Sequence, residues 1–325
     1  MLISVVLNCL NGERFLKRSI ESVLKQTFDV YEIVFIDNGS SDLSGAIAKE
    51  YGSIISYFRN EKTTSLGQAR NQGIMLAKGD FIAFIDADDE WRSDKIEKQT
   101  KLFNDDVSFV FSNAEISEGL GKNFLLFDYA VPRFDNIFNS LLAKDFISTS
   151  SVMFKKDAYL NLNQKYSNSL TIECDRDLFI RFAGDCKVKY INEALVIRYL
   201  HNSSTSSLHN AASIKELLYL EDSINTYCKS KALVNDFSLF RFNSRLNILK
   251  GRHYWQLGDL KKARKSFLKS KGKKGYLMFL LSVMYPFKSN LRPVIMIIKY
   301  FKFFSNFLRK KNIYHDKNLI LKNNK

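Results

Sequence analysis

The residues with the clearest capacity for chemistry lie in "FIAFIDADDEW", residues 81–91, where an apolar run leads directly into Asp86, Asp88 and Asp89. Like charges this close repel unless a positive group sits among them. Side chains two apart on a strand point the same way, so Asp86 and Asp88 can present carboxylates to one point. Two hard oxygen ligands, completed by water and phosphate oxygens, suit Mg²⁺ or Mn²⁺. Such a cation would offset the clustered charge, bridge a diphosphate and stabilise it as a leaving group. The plainer use of the same acids is a solvated turn. Other groups that could do chemistry are Asp37 in "VFIDNGSSD", Arg70 in "QARN", the acids of "TIECDRDLFIRFAG" and His201 in "RYLHNSSTS".

Elements that could position these groups are legible in the first hundred residues. "LISVVL" is a continuous apolar run, as expected of a strand buried on both faces. Asn11 stands at the cap position of a helix over "ERFLKRSIESVLKQ", where Phe15, Ile20, Val23 and Leu24 share a face. "YEIVFI" predicts a second strand and "SSDLSGAIAKEYG" a second helix. "IISYF" predicts a third strand, "SLGQARNQGIMLAKG" a helix closed by Gly79, and "FIAFI" a fourth strand. Gly39 permits a tight turn. This alternation implies βαβ units and a mainly parallel sheet. Ligands of such sheets bind beyond the carboxyl ends of the strands. "NCLNG", "DNGSSD" and "DADDEW" all fall there, and are expected to converge on one crevice.

Further on, "VSFVFSNAEI" and "ISTSSVMF" suggest strands and "DRDLFIRFAG" a helix; from about residue 208 the chain turns helical. "YWQLGDLKKARKSFLKS" predicts a helical hairpin turning at Gly258-Asp259. Within the helix after "TIEC", Asp177 and Arg181 are spaced i,i+4 for simple helix support.

Composition separates body from tail. Residues 261–325 hold 18 Lys/Arg and one acid, a net of +17, whereas residues 1–260 sum to −2. The tail is therefore expected to meet an anionic membrane surface. "YLMFLLSVMYPF" and "PVIMIIKYFKFFSNFLRKK" are each shorter than the roughly 20 residues of a spanning helix, so an interfacial helix pair is expected. No nucleic-acid-binding fold accompanies the charge. Four cysteines without CxxC spacing indicate neither a zinc site nor a disulfide framework. "MLISVVLN" has no basic region and too short an apolar run for a signal peptide, so the expected location is cytoplasmic, peripheral on the inner face of the cell membrane.

Three ordered stretches, "SVVLNCLNGERFLKRSIESVLKQT", "VFIDNGSSD" and "LGQARNQGIMLAKGDFIAFIDADDEW", resemble the signature of family 2 glycosyltransferases over roughly residues 2–205. The resemblance implies a GT-A type α/β fold, a mainly parallel sheet flanked by helices, followed by a C-terminal helical region. The expected parts are a nucleotide-sugar-binding half (1–95), an acceptor-binding half (96–207), a basic helical region (208–308) and a tail (309–325). It further implies that Asn8, Cys9 and Leu10 pass the nucleoside, that Asp37 contacts base or ribose, and that Arg70 lies near the nucleotide. Asp86 and Asp88 match the metal-binding DxD, and Asp89 an acid by the acceptor. Asp175 aligns with the catalytic base, with Cys174 where Glu is usual and Glu173 one residue early. His201 matches a histidine that can reach the metal, while Tyr199 replaces an arginine beside it. Asn8, Leu10 and Asn38 also depart from the usual residues. The donor is a nucleotide-diphosphate sugar, expected to be a UDP-sugar, and the acceptor a glycan or lipid-linked saccharide. Absence of QxxRW favours one sugar per encounter over processive synthesis.

Other readings of the DxD compete. A haloacid dehalogenase-type phosphatase also places DxD after an apolar strand, but wants Thr or Val where this chain has Asp89-Glu90. A Rossmann dehydrogenase lacks its GxGxxG, and "NCLNGERF" poorly matches a nucleotidyltransferase loop. The non-enzymatic alternative is an inactive scaffold binding partners through its helical tail.

Overall fold

The computed structural model describes residues 1–119, 123–129, 132, 136–201, 211–231 and 234–284. The first third follows the two alternating periods. Strands β1 (Ile3–Cys9), β2 (Glu32–Asp37), β3 (Ile55–Arg59) and β4 (Phe81–Asp86) are joined through helices α1 (Glu13–Leu24), α2 (Ser44–Lys49) and α3 (Leu66–Leu76). The strands lie parallel in the order β3-β2-β1-β4. Every residue of β2 is buried, as its unbroken apolar run requires. In register, Cys9 sits beside Asp37 and Asn8 beside Asp86, so the polar strand ends form one row.

The sheet then changes character. Strand β5 is Glu90–Trp91; α4 (Lys95–Thr100) leads to β6 (Val107–Ser117), β7 (Asn123–Leu125), α5 (Leu126–Tyr129) and α6 (Ile137–Ala143). After them come β8 (Met153–Lys155), α7 (Lys156–Asn161), α8 (Cys174–Asp185) and β9 (Lys187–Tyr199). Three-residue β8 runs antiparallel to both β4 and β6 and welds the parallel half to the rest. β9 lies parallel to β6 and antiparallel to β5, and β7 edges β6. Phe109 and Phe154 stack, and Phe182 tilts against both, behind this seam, with centroids 5.0–6.4 Å apart.

Local differences from expectation have physical causes. Helix α1 is not capped by Asn11: Gly12 holds the cap position without a side-chain bond. Asn11 instead takes a left-handed conformation (φ 54°) and its Oδ1 accepts from Ser41 N. Gly79 does not close α3, which ends at Leu76. A Cβ at Gly79 would lie 2.7 Å from Ser4 N, so its service is close passage along β1. "ISTSSVMF" becomes strand only from Met153, Thr149–Ser151 forming a 3₁₀ turn. Gly39 has the positive φ (88°) that its turn demands.

Helices α9 (Ala211–Lys229), α10 (Asp236–Gln256), α11 (Leu260–Lys269) and α12 (Lys273–Met284) follow. The described residues divide into two compact bodies, the boundary falling after Asn243, inside α10. Helix α9 belongs to the first body, where Ser223 Oγ donates to buried Asp177 at 2.8 Å. Asp177 also pairs with Arg181, the i,i+4 support expected. In the second body the hairpin turns at Gly258 (φ 86°), and Asp259 caps α11 by accepting from Lys262 N at 3.0 Å. Trp255, Ala263, Phe267, Met278 and Leu281 form its small core. No helix among the described residues is long and apolar enough to cross a membrane. The second expected interfacial run, after residue 292, and the 309–325 tail lie outside the described residues.

Candidate active site

The three polar strand ends do meet. Asn38 N donates to Cys9 O at 2.8 Å. Asn11 N and Gly12 N donate to Ser40 and Ser44 hydroxyls at 3.0 and 2.9 Å, lacing the loops after β1 and β2 together. Helix α1 ties in the acid turn: Ser19 Oγ donates to Asp86 O at 3.1 Å, and Arg18 to Asp88 O at 2.8 Å. Strand β5 pins the far side of that turn, Trp91 Nε1 donating to Ser150 O at 2.8 Å and Trp91 N to Ser22 Oγ at 3.1 Å.

What offsets the clustered negative charge is partly a residue. Arg70, 2% exposed, donates to Asp86 Oδ1 at 3.0 Å and pairs through its other arm with Asp175. Burial opposes its charge, but Asp175 and then Asp86 hold the guanidinium well above its ordinary range. One buried cation thus joins the acid turn after β4 to the first turn of α8. Arg70 Nη1 also lies 3.5 Å from Cys174 Sγ, at the position where Glu is usual.

The acids differ in setting. Burial, countered by Arg70 and reinforced by Asp88 and Asp175, raises the Asp86 carboxyl. Buried Asp89 is raised much further, first by desolvation and then by Asp86 and Asp88. Ser150 Oγ donates to Asp89 at 2.5 Å and accepts from Asp86 N at 3.0 Å. Asp88 is part-exposed, 2.8 Å from His201 Nε2. The imidazole stacks on Phe15 with centroids 4.5 Å apart. Tyr199 lies 3.6 Å beneath the Arg18 guanidinium. Asp175, whose side chain is 20% exposed, accepts from Tyr166 and Thr149 hydroxyls, each at 2.9 Å.

Asp37 lies fully buried, bonded by Ser40 N (2.7 Å), Tyr57 OH (2.6 Å) and Arg59 (2.8 Å). Burial works against the carboxylate, but these donors win and hold it below the usual range. Asn38 accepts from Asn60 and Thr64 and donates to Thr64 O at 3.0 Å. An aspartate could not supply that last bond. Leu10 is exposed, Cys9 is buried, and Asn8 Nδ2 is buried without a hydrogen-bond partner among the described residues.

Comparison with known proteins bears on this arrangement. The family model described as Glycosyl transferase family 2 matches residues 4–162. An uncharacterized glycosyltransferase of Methanocaldococcus jannaschii is 30% identical over 238 residues, covering 71% of this chain and 80% of that protein. This chain belongs to glycosyl transferase family 2. As a glycosyltransferase it is also 29% identical over 218 residues to the Escherichia coli UDP-Glc:alpha-D-GlcNAc-diphosphoundecaprenol beta-1,3-glucosyltransferase, covering 66% of this chain and 82% of that one. An uncharacterized glycosyltransferase of Rickettsia typhi is 28% identical over 63% of this chain, and the match spans 66% of that protein's length, just under two thirds. In fold, the glycosyltransferase superposes on S. aureus TarS 1–349 in complex with UDP-GlcNAc with a TM-score of 0.66 at 15% identity, over 85% and 83% of the chains. The Pyrobaculum calidifontis mannosyltransferase in complex with GDP-Man and Mn²⁺ superposes with a TM-score of 0.54 at 13% identity, over 87% and 79%. The GT-A fold is thereby established, and the glycosyltransferase family replaces the phosphatase alternative.

Thr149, Ser150 and Tyr166 were not picked out from sequence. They sit 61 to 64 and 9 to 26 residues from the acids they bond. The only local signal was the hydroxyl-rich "STSS" beside a strand.

Proposed function

We propose that this enzyme moves one sugar from a UDP-sugar to a hydroxyl of a lipid-linked saccharide, with inversion and a divalent cation, in building a cell-surface polysaccharide. The observation that carries the reading is the two-armed engagement of buried Arg70. It keeps Asp86 of the acid turn and Asp175 of α8 within one guanidinium's span. A sugar seated over this bridged pair would have its diphosphate toward Asp86 and a base, Asp175, toward the acceptor. Asp175 takes the proton of the acceptor hydroxyl. The acceptor oxygen bonds to the anomeric carbon as that carbon's bond to the diphosphate oxygen breaks. The nucleoside diphosphate leaves with the bonding pair.

The nucleoside lies over Asn8, Cys9 and Leu10, with Asp37 and Arg70 shaping the floor and Asp89 set back toward the acceptor. The donors present fit Mg²⁺ or Mn²⁺. Asp86 and Asp88 offer hard carboxylate oxygens, and His201 Nε2 stands 2.8 Å from Asp88. Among the described residues no three candidate ligands surround one point, so diphosphate oxygens and water would complete the shell. When bound, the cation would neutralise the diphosphate and ease its departure. The UDP-GlcNAc complex of TarS and the diphosphoundecaprenol acceptor of the E. coli relative support the donor and acceptor classes. Peripheral attachment to an anionic membrane is supported by Lys261, Lys262, Lys265 and Lys269 on α11, and by exposed Tyr276, Leu280 and Val283 at helical spacing on α12.

The test is a panel of UDP-, GDP- and dTDP-sugars with Mn²⁺ and a short-chain GlcNAc-diphosphate lipid. Turnover is expected with a UDP-sugar, with inverted product by NMR and a loss of about 100-fold in Asp88→Ala. Unchanged transfer by that variant, or a retained anomer, would refute the reading.

A further inference from the structure

We infer that Thr149 is a positioning residue that reserves Oδ2 of Asp175 as the atom receiving the acceptor's proton. The inference rests on Asp175 being the base. The two carboxylate oxygens are not equivalent. Oδ1 is engaged twice, by Arg70 and by the Tyr166 hydroxyl at 2.9 Å, and both donors are buried. Burial first, and then Asp175, push the Tyr166 phenol well above its ordinary range, so it keeps its proton and stays a donor. Oδ2 accepts from Thr149 Oγ1 at 2.9 Å; that is its one protein donor among the described residues.

A carboxylate oxygen offers about two lone-pair sites. Those of Oδ1 are filled from the protein interior, and an acceptor could reach them only by displacing a buried donor. Oδ2 has one site left, and its donor Thr149 is itself only partly buried. Thr149 is also held firmly. Its neighbour Ser150 bonds both Asp86 N and Asp89, so the 3₁₀ turn is registered against the acid turn. The acceptor hydroxyl therefore approaches Oδ2 beside Thr149 Oγ1. Thr149 fixes the carboxylate's rotation, and the proton moves from the acceptor oxygen to Oδ2.

The experiment compares Thr149→Val, Thr149→Ser and Asp175→Asn using UDP-glucose and a GlcNAc-diphosphate lipid. Hydrolysis of UDP-glucose, with water as acceptor, is the second readout. Thr149→Val keeps the shape but loses the donor; kcat should fall about tenfold, with donor KM changed by less than about twofold. Thr149→Ser should restore most of the rate. Wild-type kcat in Thr149→Val, or an equal loss in Thr149→Ser, overturns the inference. If Asp175→Asn itself retains activity, the base reading has failed; if Asp175→Asn is dead and Thr149→Val is not, only the role of Thr149 has.

Discussion

Replacing Arg70 by Met would strip the internal cation from between Asp86 and Asp175 while keeping an unbranched apolar stem. Removing one partner of a buried ion pair costs about 3–5 kcal/mol. Here the side chains of Asp86 and Asp175 are 36% and 20% exposed, so water recovers part of that loss. About 3 kcal/mol is expected, or a fall in melting temperature of roughly 6–12 °C. The loss should depend on pH. Asp86 is already raised by burial, with Asp88 and Asp175 adding and Arg70 opposing; without Arg70 it rises further. A carboxyl with a raised folded-state pKa binds protons more readily folded than unfolded, so its stability contribution falls as pH increases through that range. The variant should therefore lose more at pH 8 than at pH 5, measured by thermal melts followed by circular dichroism. Arg70→Lys keeps the charge without the two-armed reach and should fall between. An equal loss at both pH values, or one below about 1 kcal/mol, would show that the acids do not depend on this guanidinium.

Asp37→Asn tests the opposite sign. Its folded-state carboxyl is lowered, so its contribution is present at neutral pH and lost as pH falls through the acid range. The variant should lose about 2 kcal/mol at pH 7, and progressively less as pH falls below the ordinary carboxylate range, in urea unfolding. Changing Lys261, Lys262, Lys265 and Lys269 together to Ser should weaken sedimentation with phosphatidylserine vesicles by on the order of 10³-fold, at about 1 kcal/mol per lysine; unchanged binding would remove the membrane proposal.

The parallel half was legible because its strands are apolar runs, its first helix shows a clear apolar face, and turn residues separate the elements. The convergence of the strand-end loops followed from topology alone. Three things were not legible. Short β8 has no length of pattern to announce itself, and its antiparallel insertion is decided by packing on β4 and β6. The pairing of Arg70 with Asp175 shows only when α8, more than 100 residues later, is laid against α3. Thr149, Ser150 and Tyr166 gain meaning only from partners brought close by the fold. Asp37 and Asn38 show a further limit: their motif is plain in the sequence, but their partners Tyr57, Arg59, Asn60 and Thr64 are not.

The pinning of Trp91 carries a consequence for how such an enzyme could diversify. With its main chain paired to Val196 and its indole bonded to Ser150 O, the segment after Asp89 has no alternative seat. An incoming donor meets an acid turn that is already ordered, and binding need not supply the entropy of arranging it. The same rigidity forbids retuning selectivity by moving that turn. New sugars or acceptors would have to be accommodated by exchanging the surrounding segments, so transplanting those segments between relatives should transfer preference while the acid turn stays in place.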